Sequence, residues 1–142
     1  MLVVQVPKQT IRSDGIYVTT ESIRSKDAQE NMTADEYQEL AMRTCNIPYT
    51  DKLGMLTHAT TGLASEAGEF AAIMQKVYQG HPYDREHALL ELGDCCWMIA
   101  EACKALDTTL SEVMHGNIEK LKKRYPDGFE AERSLHRQEG DI

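Results

Sequence analysis

Residues 51–79, "DKLGMLTHATTGLASEAGEFAAIMQKVYQ", repeat apolar side chains at helical spacing: Leu56, Ala59, Leu63, Phe70, Ile73, Met74 and Val77. At 100° per residue these fall on one stripe, so the segment predicts one long amphipathic helix that other elements must cover. Gly80 and Pro82 stop it and set a turn.

Three further helices fit around it. Thr33, with Glu36 three residues on, forms a capping box for a first helix that should end near Asn46, before Pro48. Asp84 caps a third helix running to about Leu106, and Thr109 with Glu112 caps a fourth that Pro126 and Gly128 terminate. Four amphipathic helices with short connections predict an all-α, antiparallel four-helix bundle over residues 32–142. Residues 1–31 read differently, because "LVVQV" and "GIYVTT" alternate around the turn-like "RSDG" and predict a short β-hairpin or flexible N-terminal extension.

Helix 3 is apolar on more than one side. Leu89, Leu92, Cys96, Ile99, Ala100 and Cys103 form its main stripe, while Leu90, Trp97 and Met98 face elsewhere. A helix apolar nearly all round needs neighbours on several sides, and in so short a chain the extra neighbour is expected to be another subunit. A homo-oligomer, dimer or tetramer, follows as the expectation.

Charge narrows the partners. The net charge of -8 argues against a surface that covers duplex nucleic acid, which needs clustered Lys and Arg. Only "EKLKKRY" at 119–125 gathers basic residues, enough for a small anion. No apolar run approaches the roughly 18 residues of a membrane span, and the first residues lack the pattern of a signal peptide, so a cytoplasmic protein is expected. Cys45, Cys95, Cys96 and Cys103 show no CxxC spacing, which argues against a zinc site and structural disulfides.

The acidic tetrapeptides "EAGE" (66–69) and "ELGD" (91–94) carry the chemistry. Acidic pairs three apart are common in a chain with 23 acidic residues, so spacing alone decides nothing. Position decides more: Glu66 projects into the middle of the helix 2 stripe with Glu69 at its edge, and Glu91 and Asp94 lie between two apolar surfaces of helix 3. With the two helices antiparallel, all four carboxylates can converge. Such a group stays ionised only with a cation, and an all-oxygen donor set suits Mg²⁺, with Mn²⁺ as substitute. The alternatives are two solvated salt-bridging faces, or a di-iron bundle, which would want ExxH pairs where this chain has Asp94 and an off-motif His87.

Other candidates stand beside ordinary structural readings. Asn117, Lys120 and Arg124 share one edge of helix 4 and can grip phosphates, or form a basic helix end favoured by the macrodipole. Trp97 can stack on a base or serve as core; Lys76 and His58 can reach a ligand, or act as a snorkelling lysine and a core-edge histidine. Gly68 and Gly93, each directly before an acidic residue, would let facing helices or a bound phosphate approach.

In order and spacing, "LTHATTGLASEAGEFAAIMQKVYQG", "HALLELGDCCWMIAEACKALDTTLSEV" and "NIEKLKKRYPDGF" resemble the all-α nucleoside triphosphate pyrophosphohydrolases, the MazG-like superfamily, over about residues 33–137. The resemblance implies a Mg²⁺-dependent hydrolase that converts a nucleoside triphosphate to the monophosphate and pyrophosphate, as a house-cleaning enzyme of nucleotide pools. It implies Glu66, Glu69, Glu91 and Asp94 as metal ligands, Glu66 or Glu69 as the group that orients water, and Asn117, Lys120 and Arg124 as phosphate or sugar contacts. Met98 stands where some relatives carry a tyrosine, which leaves the sugar and base preference open. Narrower or different readings are a dUTP- or dCTP-specific pyrophosphatase, a phosphoribosyl-ATP pyrophosphohydrolase, and a catalytically silent nucleotide-binding scaffold.

Overall fold

The computed structural model describes residues 32–136; the expected hairpin at 1–31 lies outside them. Five helices follow in order: α1 (Ala34–Met42), α2 (Lys52–Tyr78), α3 (Arg85–Ala105), α4 (Leu110–Arg124) and the short α5 (Ala131–Leu135), with no strand among the described residues. The fold is all-α. None of these helices is long and apolar enough to cross a membrane.

Local chemistry sets the helix starts. Thr33 and Thr109 form reciprocal capping boxes with Glu36 and Glu112, while Asp51 and Asp84 accept hydrogen bonds from the backbone N–H of Gly54 and His87. Each cap satisfies donors that the first turn leaves open, an effect typically about 1 kcal/mol. Gly80 turns the chain between α2 and α3 at a φ of 94°, in the left-handed region where glycine has no Cβ penalty. α1 stops at Met42, a turn earlier than the approach of Pro48 suggests.

The two long helices form an antiparallel hairpin whose cross-contacts descend in step. Lys52 meets Asp107, His58 meets Glu101 and Glu66 meets Asp94. Between them, Gly62 lies so close to α3 that a Cβ there would run into the Met98 thioether. α1 crosses the hairpin on α3: the Trp97 indole N–H donates to the Ala41 carbonyl at 3.1 Å and to the Thr44 hydroxyl at 2.9 Å. The Tyr37 hydroxyl reaches the Gly93 carbonyl at 3.4 Å. α4 is tied at its start, where the buried Gln38 side chain donates to the Thr108 carbonyl and accepts from the Leu110 N–H, and Asp35 accepts from Ser111.

The core is small and rich in methionine and alanine: Met42, Met55, Ala100 and Ala105, flanked by Tyr37, Ala41, Cys45, Ile47, Leu56 and Trp97. It differs from the expected stripes in register. Met55, outside the projected stripe, is fully buried, whereas Met74, Leu89, Leu92 and Cys96, all on projected stripes, are exposed. On α4, Val113, Met114, Ile118 and Leu121 are exposed too. Among the described residues, apolar side chains of α3 and α4 are therefore left uncovered.

The glycine expectation is corrected in part. Added Cβ atoms at Gly68 and Gly93 would meet nothing within 4 Å, so the helices do not approach there; the close approach is at Gly62. Gly62→Leu should lower stability by about 1–3 kcal/mol through overpacking. Gly68→Ala should instead raise it by up to about 1 kcal/mol through helix propensity. Urea unfolding of the two variants against wild type measures both.

Candidate metal centre

Antiparallel pairing of α2 and α3 carries two acidic segments past each other. Glu66 on α2 and Glu91 and Asp94 on α3 each offer a carboxylate oxygen, and these atoms lie within 4.8 Å of one another. Glu91 is buried, Glu66 half-buried and Asp94 exposed, so the group opens on one side to solvent. Glu69, one turn after Glu66, is exposed and outside this trio, but near enough to act on Glu66 electrostatically.

The electrostatics follow from crowding. Desolvation holds the Glu66 carboxyl above its ordinary range, and the charges of Glu69, Asp94 and Glu91 push it further the same way. The Cys95 thiol is raised by burial and by neighbours that include Glu66, Asp94 and Glu91. Like charges held this close disfavour ionisation, and a divalent cation reverses that preference. Three carboxylates with an open side fit a hard ion such as Mg²⁺, which takes oxygen ligands and keeps water and phosphate in its remaining positions.

Other sequence candidates fall elsewhere. His58 Nδ1 lies 2.7 Å from Glu101 Oε2, and its ring meets Trp97 edge-on with centroids 6.0 Å apart. Glu101 is fully buried, and its other oxygen takes a contact from the Cys45 thiol at 3.5 Å. Burying a carboxylate requires such partners, which makes the imidazole of His58 its main compensation. Lys76, Asn117 and Lys120 stand on open helix surface, and Arg124 is half-buried with its guanidinium over the Tyr125 ring. Sequence reasoning passed over Glu101 and weighed His87 only as an off-motif di-iron ligand; Glu101 could have been noticed seven residues after Asp94, on nearly the same face of α3.

Comparison with known proteins places this arrangement. The family model described as the MazG nucleotide pyrophosphohydrolase domain matches residues 56–129, a span that contains both acidic segments and α4. The chain belongs to the MazG nucleotide pyrophosphohydrolase family. It is also 34% identical over 101 residues to the Gene 37 protein of Mycobacterium phage L5, covering 66% of this chain and 89% of that protein. No solved structure matches it significantly. In this MazG-family chain the matched residues begin within α2, and α1, which precedes them, packs Met42 into the core.

If repulsion dominates the ion-free centre, Glu66→Gln should melt above wild type at neutral pH without divalent ions. The sign follows from the raised carboxyl: the folded state disfavours ionised Glu66, so that contribution to stability falls as pH rises from the ordinary value of 4.5 through the raised one. Wild type should gain melting temperature with added Mg²⁺ or Mn²⁺, and Glu66→Gln should gain little. Differential scanning calorimetry with and without the ions reads both effects.

Proposed function

We infer that the protein is a Mg²⁺-dependent nucleoside triphosphate pyrophosphohydrolase that converts a (d)NTP to the (d)NMP and pyrophosphate. The observation that carries this reading is the convergence of Glu66, Glu91 and Asp94 from two helices, in a chain of this family. Glu66, Glu91 and Asp94 would hold the ion, with Glu69 completing the set from the exposed turn after Glu66. A divalent ion there supplies positive charge against the triphosphate and lowers the pKa of water at the centre.

The reaction joins a water oxygen to the α-phosphorus and breaks the bond from that phosphorus to the α–β bridging oxygen, which leaves with pyrophosphate. Glu69, or Glu66 beside it, takes the proton from the attacking water. Asn117, Lys120 and Arg124 on α4, with Lys76 on α2, are assigned to the phosphates as hydrogen-bond donors and counter-charges. His58 and Trp97 are assigned to the nucleoside end; the indole N–H is already engaged by α1, so Trp97 offers its ring face. Open space above Gly68 and Gly93 supports room for substrate beside the carboxylates.

Exposed Leu89, Leu90 and Leu92 on α3, with Val113, Met114, Ile118 and Leu121 on α4, support a homo-oligomer, and the acidic net charge supports a small-molecule substrate rather than a duplex. Pyrophosphate release over a panel of nucleoside triphosphates, with and without Mg²⁺, tests the activity. Release is expected only with the metal, and a response confined to dUTP or dCTP would narrow the enzyme to that pyrimidine. Glu69→Ala should keep the fold and lower turnover by at least about 100-fold; near-normal activity would remove Glu69 from the mechanism.

A further inference from the structure

His87 stands one turn before Glu91 on α3, and its Nε2 lies 2.6 Å from Glu91 Oε1. We propose that His87 is a positioning residue of the metal centre: it holds Glu91 by one carboxylate oxygen and leaves the other for the ion. The inference rests on the metal-site reading above.

Three observations carry it. First, the two side chains differ in burial: that of Glu91 is 8% exposed and that of His87 45%, so a largely buried carboxylate has a more exposed imidazole against one of its oxygens. Side chains on a helix lean toward its N-terminus, which lays Glu91 back over the turn of His87. Second, the converging carboxylates are those of Glu66, Glu91 and Asp94, while the His87 ring nitrogen lies 2.6 Å from Glu91 alone of the three. That puts His87 behind a ligand rather than among the ligands. The terminal torsion of a glutamate is broad and soft, so a bond to one oxygen fixes the direction of the other.

Third, helix stability gives little reason for a histidine here. His87 is the residue whose N–H is capped by Asp84, in the first turn of α3, where the macrodipole disfavours a cation. A basic residue four before an acidic one is also the weaker orientation of such a pair. The contact is therefore better explained by what it does to Glu91 than by what it does for α3.

Calorimetric titration of Mn²⁺ into the full chain tests the proposal. Wild type should bind, and Glu66→Gln should not. His87→Ala should bind about 10- to 100-fold more weakly, with melting in the absence of metal little changed. His87→Gln, whose amide can still donate to Glu91, should recover most of the affinity. Where Ala disturbs the start of α3, His87→Met removes the donor while keeping bulk and helix propensity. Unchanged or tighter binding in the donor-less variants, or failure of Gln to rescue them, overturns the role of His87 while the metal centre stands. Absence of Mn²⁺ binding in wild type overturns the metal centre and this inference with it.

Discussion

Glu66, Glu91 and Asp94 are pressed together by the same helix pairing that builds the hairpin, and their mutual repulsion is the constraint to which the rest answers. Packing between α2 and α3 holds that repulsion in place, and Glu66 carries it as a carboxyl raised by desolvation and by its acidic neighbours. Glu91 and Glu66 answer it differently. At Glu91 an imidazole nitrogen lies 2.6 Å from one oxygen; at Glu66 desolvation and the charges of Glu69, Asp94 and Glu91 hold the carboxyl above its ordinary range. A centre strained in this way is one that a cation can stabilise, so affinity for metal and instability without it have one origin.

A second carboxylate shows the contrasting solution. Glu101 is more deeply buried than any of the three, yet His58 and Cys45 occupy its oxygens and it sits within a structural junction of α1, α2 and α3. The distinction between these acids lies in their partners rather than in their depth. Glu101 meets a base and a thiol, whereas Glu66, Glu91 and Asp94 also face one another, and it is the facing acids that read as an ion site. His58 belongs to that junction, since it meets Glu101 and sets its ring edge-on to Trp97.

The sequence was most legible where structure is set by short-range chemistry. Thr33, Asp51, Asp84 and Thr109 are caps whose partners lie three residues away, and the antiparallel order of α2 and α3 follows from the turn at Gly80. It was less legible where a side chain's fate depends on which helix covers it. Met55 and Leu89 cannot be ranked from periodicity, because burial of one and exposure of the other are decided by how α1 crosses α3. The same holds for the glycines: the tetrapeptides drew attention to Gly68 and Gly93, but the helices meet closely at Gly62, whose partner Met98 is on another segment. For the acidic group, the axial register was readable from the distance to the turn. The nearness of His87 to Glu91 was equally local and was available from the spacing of four residues, had the pairing of a base with a candidate ligand been sought.

The central claim is that two helices present their acids to one shared divalent ion. It is tested most directly by a crystal structure of the protein grown with Mn²⁺ and measured for anomalous scattering. The account predicts an anomalous peak bounded by carboxylate oxygens of Glu66, Glu91 and Asp94. A well-ordered α2–α3 hairpin with those side chains turned apart and no peak between them, or with the ion bound elsewhere, would contradict it.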